Sequence, residues 1–233
     1  RSGTATASAW GSLCPTACGA ARGRMNPRLH GLYAIADTHY LDAARLAPAV
    51  EAAIAGGARV VQYRDKRHDA ASRVRQALDL AAICRRHGVL FLVNDDVVLA
   101  EAAGADGVHL GRGDMPLSEA RRRLGAEKII GVSCYNELER ALAAERTGAD
   151  YVAFGSFFPS RTKPQAVRAT PDLLRAAKQR LHIPVVAIGG ITPENGAVLI
   201  EAGADMLAVI EGVFAQPDVS AAAKRYARLF PET

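Results

Sequence analysis

Clusters of polar side chains follow the apolar runs of this chain at regular intervals. Five runs end in such a cluster, at 62–66 (QYRDK), 94–95 (ND), 111–114 (GRGD), 156–163 (SFFPSRTK) and 189–190 (GG). In a parallel α/β barrel the carboxyl ends of all strands share one rim, where such folds carry their active sites. The pattern therefore indicates one site assembled from several strand ends.

Two cations stand at the end of the second apolar run. Arg64 and Lys66 are two residues apart, so in an extended segment they point to the same side as Gln62. Arginine offers phosphate a planar fork and lysine a point charge. We therefore predict a cradle for a multiply charged anion. The alternative is an ordinary solvated loop, which the strand-end position disfavours.

Two acids, Asp95 and Asp114, follow the third and fourth runs, which would be neighbours in a barrel. Carboxylates without an obvious basic partner repel each other unless a cation lies between them. Mg²⁺ binds one or two carboxylates, keeps waters and bridges substrate phosphates, so we predict a magnesium site. The competing interpretation is that Asp95 caps a helix starting at Val97, although Asp96 could take that role.

Further polar groups follow the sixth, seventh and eighth runs. A stretch of hydroxyls and cations, typical of a phosphate-contacting loop or lid, consists of Ser160, Arg161, Thr162 and Lys163. Gly190 and the turn at Ile210 and Glu211 match the common barrel phosphate site, in which backbone N–H groups hold the anion. Two anion sites, one with metal and one without, indicate two phosphorylated substrates and a transfer between them.

Alternating strand and helix patterns must position these groups. Continuous apolar runs predict strands at 32–36, 59–62, 90–93, 107–110, 129–132, 151–154, 184–188 and 206–210. Helices are expected at 43–55, 70–86, 97–103, 117–124, 137–146, 171–180, 193–201 and 219–229. A threonine before Pro171 and before Pro193 suits a helix start. Eight such units predict a single-domain α/β fold, the parallel (β/α)8 TIM barrel. A doubly wound sheet is the alternative, but no GxGxxG follows the first strand.

Charge and hydropathy narrow the function classes. Residues 1–30 carry four arginines and no acid, which leaves 25 basic against 24 acidic residues in the rest of the chain. A nucleic-acid surface needs clustered charge on the folded body, so no nucleic-acid partner is expected. No apolar run reaches the roughly 18 residues of a membrane span, so no membrane association is expected. Four cysteines without a CxxC pair favour a reducing, cytoplasmic setting.

The first 28 residues differ in composition from the rest of the chain. Segment 1–28 is rich in Ala, Gly, Ser and Thr, with arginines and no acid. A transit peptide has such a composition, but the apolar face of a transit helix is weak here, so we favour a flexible extension. The catalytic domain is then expected at 29–233.

Six stretches resemble, in order, those of the thiamine-phosphate synthase family. They are QYRDK, VND, GADGVHLGRGDMP, GVSCYN, GADYVAFGSFFPSRTK and PVVAIGGIT. The resemblance covers the chain from Leu32 to its end. It implies a Mg²⁺-dependent transferase of thiamine biosynthesis. Such an enzyme joins 4-amino-2-methyl-5-(diphosphooxymethyl)pyrimidine to 4-methyl-5-(2-phosphooxyethyl)thiazole and releases pyrophosphate by a dissociative substitution.

The resemblance also implies residue roles. The pyrimidine diphosphate would be bound by Gln62, Arg64, Lys66, Asn94, Ser133 and Lys163. Mg²⁺ would be bound by Asp95 and Asp114. The thiazole phosphate would be bound by Ser160, Thr162, Gly190 and the backbone of Ile210 and Glu211. Substrate contacts are also expected from Tyr63, Asp65 and Arg161, and catalytic roles from Arg64, Lys66, Ser133 and Lys163.

One departure from the family pattern concerns a phosphate contact. Glu211 stands where many relatives have serine, and a carboxylate there would repel the thiazole phosphate unless the side chain turns away. The reaction class is unaffected.

Three other functions are open to this sequence. A thiazole tautomerase has the same fold but no diphosphate chemistry, and the complete set of Arg64, Lys66, Asp95 and Asp114 argues against it. A Schiff-base aldolase would need a desolvated lysine, which the polar surroundings of Lys163 do not provide. A non-catalytic phosphate-ligand sensor should have lost a metal ligand or a cation. The sequence leaves open whether the chain forms a homo-oligomer.

Overall fold

Eight parallel strands form the centre of the computed structural model, which describes residues 26–159 and 167–231. They are β1 (Gly31–Asp37), β2 (Ala58–Arg64), β3 (Leu90–Asn94), β4 (Gly107–Leu110), β5 (Ile129–Tyr135), β6 (Tyr151–Phe154), β7 (Val185–Ile188) and β8 (Met206–Val209). Each strand pairs with the next in chain order, and β8 pairs with β1. This closed barrel confirms the predicted fold and excludes the doubly wound sheet.

Helices follow the strands along the chain. They are α1 (Ala43–Ala55), α2 (Ala70–Arg86), α3 (Val97–Ala102), α4 (Leu117–Leu124), α5 (Leu138–Thr147), α6 (Pro171–Arg180), α7 (Ala197–Glu201), α8 (Glu211–Phe214) and α9 (Val219–Ala227). Two differences from the expected pattern matter. The seventh helix was expected to start at Pro193 and starts at Ala197, because the Asn195 side chain accepts from the Thr192 N–H and closes a turn. The expected turn after β8 is the short helix α8.

Aspartates begin several of these helices. The side chains of Asp42, Asp69, Asp96 and Asp218 each accept a backbone N–H three residues on. An N-cap of this kind stabilises a helix by about 1 kcal/mol, because it satisfies a donor that has no partner in the helix. Asp96 is the N-cap of α3, so the interpretation that Asp95 caps this helix was wrong. The Asp95 carboxylate therefore remains available at the barrel mouth.

Side chains along each strand alternate between the barrel axis and the helices. The interior is filled by a compact set that includes Tyr33, Val60, Leu92, Tyr151 and Met206. Their chain neighbours pack outward against the helices in a second cluster. A Cβ added to Gly131 would lie 1.9 Å from Cζ of Tyr151, so glycine is what admits this large ring to the interior.

Neither of the two body cysteines is in a disulfide. Cys84 and Cys134 are free and fully buried, and burial raises the pKa of each thiol to about 12.

Within the described ranges no helix is both long and apolar enough to cross a bilayer. The flexible extension predicted at 1–28 lies mainly outside the described residues, and so do Cys14 and Cys18. The start of the catalytic domain at residue 29 stays a prediction.

Candidate active site

The carboxyl ends of four consecutive strands bring most of the predicted site residues to one mouth of the barrel. Ladder pairing is continuous from β2 through β5, so these strand ends are adjacent. They supply Gln62, Arg64, Lys66, Asn94, Asp95, Asp114 and Ser133. These residues therefore lie together at one rim of the barrel, as was predicted from the sequence.

Asp95 and Asp114 form a close carboxylate pair. Their carboxyl groups lie within hydrogen-bonding reach of each other. Asp95 has a φ of 64°, and its N–H donates to the His109 carbonyl at 2.8 Å. A non-glycine residue with positive φ is uncommon, although aspartate adopts it more readily than most, and such residues cluster at active sites. Asp114 Oδ2 accepts the Gly111 N–H at 2.6 Å. Both acids are thus held in place by backbone contacts.

The two acids have shifted pKa values in opposite directions. Burial, followed by the hydrogen bond and charge of Asp95, raises the pKa of Asp114. Burial also acts to raise the pKa of Asp95, but hydrogen bonds with Lys66 and Asp114 outweigh it and lower the pKa. Lys66 Nζ lies 2.5 Å from Asp95 Oδ2. The expectation that the acids have no basic partner was wrong, because Lys66 reaches across from the neighbouring strand.

The donor set fits Mg²⁺. Two carboxylates side by side favour a cation between them, and Mg²⁺ commonly takes one or two carboxylates and keeps its remaining positions for water and phosphate. Within the described residues, no third His, Cys, Asp or Glu joins them to form a larger metal-ligating cluster. That composition is less suited to a structural zinc site, which takes four protein ligands.

Arg64 is held by an acid that the sequence analysis missed. Its guanidinium pairs with Asp37 at the end of β1, and Asp37 is only 2% exposed. Arg64 itself is 23% exposed and Lys66 is 55% exposed. The buried Asp37 therefore holds the guanidinium of Arg64 in place at the mouth. The only signal for Asp37 in the sequence is a lone acid ending an apolar run.

Tyr63 and Asp65 lie behind the mouth rather than in it. Tyr63 packs outward, with its hydroxyl between Asp65 (2.9 Å) and Gln76 of α2 (2.6 Å). Asp65 also accepts from the Thr38 hydroxyl at 2.8 Å and from the Arg67 N–H at 2.8 Å. These contacts stabilise the loop that carries Lys66. The structure thus places both residues as supports of the loop, and the direct substrate contacts expected of them stay a prediction.

Asp65 is ionised because of these contacts. Burial acts to raise the pKa of Asp65, but hydrogen bonds from the Arg67 N–H, the Thr38 hydroxyl and the Tyr63 hydroxyl outweigh it and lower the pKa to about 2. Hydrogen bonds to the charged form of a carboxylate favour that form.

A chain of hydrogen bonds crosses the barrel interior beneath the mouth. Gln62 Nε2 donates to the Tyr33 hydroxyl at 2.6 Å, and this hydroxyl lies 2.9 Å from that of Tyr151. The Tyr151 hydroxyl lies 2.9 Å from His109 Nδ1, and His109 Nε2 lies 2.8 Å from Ser133 Oγ. Two predicted substrate contacts, Gln62 and Ser133, are thus joined through the protein. Tyr33 and Tyr151 are interior residues that were not predicted from the sequence.

Tyr135 is a further rim residue that sequence reasoning missed. It ends β5 with a φ of 56°, where the β5–β6 register shifts. The guanidinium of Arg112 lies 4.8 Å from its ring centroid and that of Arg140 lies 5.8 Å from it. These two cation–π contacts hold the ring, and its hydroxyl and the Asp114 carboxylate both lie close to Gly111.

The other side of the rim is built on two glycines. Gly189 and Gly190 have φ values of 104° and 63°, a region in which glycine is favoured. A Cβ on Gly190 would lie 2.3 Å from the Pro159 carbonyl oxygen. Ile210 precedes α8, and Glu211 is its first residue. The predicted contacts Ser160, Arg161, Thr162 and Lys163 lie outside the described residues.

Comparison with known proteins identifies the family. A family profile described as thiamine monophosphate synthase matches residues 32–213. The chain belongs to the thiamine monophosphate synthase family. It is 52% identical over 207 residues to the thiamine-phosphate synthase of Nitrosococcus oceani, which covers 89% of this chain and 95% of that protein. It is 58% identical over 189 residues to that of Thiobacillus denitrificans, covering 81% and 90%.

A solved structure supports the same assignment. Thiamine phosphate pyrophosphorylase from Pyrococcus furiosus superposes with a TM-score of 0.79 at 36% identity, covering 88% of this chain and 97% of that one. The family assignment confirms the resemblance drawn from the six sequence stretches. The roles of individual residues in this member of the family stay predictions.

Proposed function

We propose that this chain catalyses the thiamine-phosphate synthase reaction, in which an aminopyrimidine methyl diphosphate and a thiazole phosphate give thiamine phosphate and pyrophosphate. The observation that carries the proposal is the carboxylate pair of Asp95 and Asp114 beside Lys66 and Arg64 at one mouth of the barrel. Acids and cations in contact suit a ligand that brings both a divalent metal and a diphosphate, because each charge type then has a partner.

Asp95 and Asp114 are the residues that would hold Mg²⁺. When bound, the ion supplies positive charge beside the diphosphate. Lys66 contacts Asp95, so the lysine would lie beside the bound ion and close to the diphosphate. Arg64 is oriented by Asp37 and would contribute a second protein cation. Both cations would stabilise the negative charge that grows on the leaving group as its bond breaks. A fixed charge accelerates a reaction when it lies where charge develops in the transition state.

The proposed substitution breaks one bond before it forms another. The bond between the pyrimidine methylene carbon and the diphosphate oxygen breaks first, and its electron pair leaves with pyrophosphate. The electron-rich aminopyrimidine stabilises the methylene cation. The thiazole nitrogen then donates its lone pair to that carbon and forms the new C–N bond. The protein's part is to hold the two rings close together, with Gln62 and Ser133 under the pyrimidine and the Gly190 backbone at the thiazole phosphate.

A pyrophosphate-release assay tests this function. Release should require both substrates and Mg²⁺. Asp114→Asn should lower turnover by at least ~10²-fold, the scale for losing one charge-stabilising group. Asp172→Asn is a matched control, because Asp172 is 88% exposed on α6 and pairs with Arg175 along its own helix. Full Mg²⁺-dependent turnover by Asp114→Asn would contradict the metal role.

The same assay separates the competing functions. A thiazole tautomerase would convert a thiazole without the pyrimidine diphosphate and would release no pyrophosphate. A ligand sensor would bind both substrates without turnover. We also propose a reducing, cytoplasmic setting, supported by the free thiols of Cys84 and Cys134.

A further inference from the structure

Three aspartates repeat at the amino ends of the strands, which form the end of the barrel opposite the candidate active site. Each follows a Gly-Ala pair and stands directly before an even-numbered strand: Asp106 before β4, Asp150 before β6 and Asp205 before β8. Each carboxylate accepts a backbone N–H of the preceding strand at 2.7 to 2.8 Å, from Phe91, Ile130 and Val185 respectively. The three positions are therefore structurally equivalent.

At two of these positions a neighbouring helix supplies a cation. Arg121 of α4 pairs with Asp150 and also donates to the Gly125 and Gly148 carbonyls. Lys178 of α6 lies 2.9 and 3.0 Å from the two carboxylate oxygens of Asp205. In both cases the cation occupies the space between the end of its helix and the glycine before the next strand.

The Asp106 position differs, because a cavity of about 320 Å³ lies where the other two positions have an ion pair. Its walls include Gly88 after α2 and Gly104 before β4, which correspond to the two glycines that Arg121 contacts. The α2 side chain close to Asp106 is the thiol of Cys84, whose pKa is raised by burial and then by the Asp106 charge. Asp106 Oδ2 accepts the Phe91 N–H, and no cation of the described residues pairs with this carboxylate.

Two arginines line the same cavity. Arg85 lies in the last turn of α2, with Nη2 3.6 Å from where a Cβ on Gly104 would be. Its guanidinium makes no hydrogen bond or ion pair with another residue that the structure describes. Arg28 donates from Nη2 to the Gly88 carbonyl at 3.0 Å. Both arginines are exposed, so their charges can meet a ligand from solvent. The wall also includes three buried apolar residues, Ala81, Val89 and Phe91.

We propose that this cavity binds a small zwitterion, with an ammonium group at Asp106 and a carboxylate or phosphate at Arg28 and Arg85. The acid suits a cation, as the arginine and lysine at the two equivalent positions show. The arginines suit an anion, to which each offers a planar fork of donors. An anion alone would face the Asp106 carboxylate, and a cation alone would face two guanidinium groups. A ligand with both charges gives every group a partner.

The size of the cavity limits the ligand. Ligand pockets span ~300–1,000 Å³, and this cavity lies at the lower end of that range. It therefore suits a molecule of amino-acid size. The site is separate from the barrel mouth and does not depend on the proposed function.

Calorimetric titration of the full chain with ω-amino acids tests the proposal. The probes are glycine, β-alanine, 4-aminobutyrate and 6-aminohexanoate, in which the ammonium and the carboxylate are progressively farther apart. One length should bind at least ~10-fold more tightly than the acid or the amine of the same length alone, since a hydrogen bond to a charged group contributes on this order. The bound probe should shift the Gly88 and Gly104 N–H signals in NMR spectra. Equal affinity for the amino acid and its single-charge relatives, or no saturable binding of any probe, would overturn the proposal.

Substitutions locate the two ends of the ligand. Arg85→Gln and Asp106→Asn should each weaken binding ~10-fold. The asparagine keeps an oxygen for the Phe91 N–H, so the contact with β3 is retained. Arg86→Gln is the matched control, because Arg86 is the next residue on α2 and pairs with Glu51. If Arg86→Gln weakened binding as much as Arg85→Gln does, general charge attraction would explain the binding and the proposal would be wrong.

A direct ion pair between Arg85 and Asp106 would use the same groups without a ligand. Urea unfolding of Arg85→Gln, Asp106→Asn and the double variant distinguishes the two cases. Additive losses of stability would show that the groups act independently in the unliganded protein, as proposed. A double variant no less stable than Asp106→Asn alone would show that they pair with each other and would overturn the proposal. None of these measurements involves turnover, so the outcome is independent of the pyrophosphate-release assay.

Discussion

Removing the charge of Asp65 should weaken the fold in a pH-dependent way. Asp65 is 6% exposed and accepts hydrogen bonds from Thr38, Tyr63 and the Arg67 N–H. Its pKa is about 2 in the folded protein, against about 3.9 in an unfolded chain. The difference corresponds to about 2–3 kcal/mol of stability at neutral pH. Asp65→Asn keeps one accepting oxygen and replaces the other with a donor, so a loss of this size is expected.

The sign of the pH dependence follows from the lowered pKa. A carboxylate whose pKa is depressed by folding contributes its full stability above the unfolded pKa and loses it as the pH falls toward the folded one. The free energy of unfolding, measured by urea titration, should therefore differ between wild type and Asp65→Asn by about 2–3 kcal/mol at pH 7. The difference should narrow between about pH 4 and pH 2, as the wild-type carboxylate is protonated.

An exposed aspartate on another helix provides the control for Asp65→Asn. Asp172→Asn, at an exposed site on α6, should show no pH-dependent difference from wild type. A gap between wild type and Asp65→Asn that stays constant from pH 7 to pH 2.5 would refute the reasoning. Turnover offers a second readout, because the loop held by Asp65 carries Lys66. The variant should lose activity at temperatures where circular dichroism still reports a folded barrel.

Three further substitutions have defined outcomes. Gly131→Ala should cost about 1–3 kcal/mol in urea unfolding, because the added Cβ would lie 1.9 Å from the Tyr151 ring; a neutral effect would contradict the packing described. Gly190→Ala should raise KM for the thiazole phosphate about tenfold or more while the KM for the pyrimidine diphosphate changes little, since a φ of 63° and the nearby Pro159 carbonyl exclude a side chain. Glu211→Ser should lower the thiazole-phosphate KM several-fold, an effect that added salt should diminish; no change would show that the carboxylate does not face the phosphate.

The sequence was most informative where local signals and the fold agree. Continuous apolar runs separated by helical periods predicted the eight strands, and the bounds of β4, β6, α1, α2, α4 and α6 are those expected. The start of α7 was misplaced because a side-chain contact from Asn195 competes with the Thr-Pro helix start. Such a competition is decided by three-dimensional geometry, which the local pattern does not contain.

The site was predictable in membership but not in its pairings. Lys66 with Asp95 and Arg64 with Asp37 are contacts between neighbouring strands, 29 and 27 residues apart in the chain. Neither follows from spacing along one strand. Tyr33 and Tyr151 were missed for a different reason: when both faces of a strand are buried, an apolar run does not reveal which side chains face the barrel axis.

The connection between β3 and α3 consists of only two residues, Asp95 and Asp96. The first turns its backbone to aim a carboxylate at the mouth, and the second starts the helix. These two roles fall on adjacent residues. Deleting or inserting one residue there would therefore move an aspartate out of its role or separate the two aspartates. We expect this connection to tolerate no length variation, whereas changes in residue type at the outward-facing Val98, which is 54% exposed, should be accepted freely.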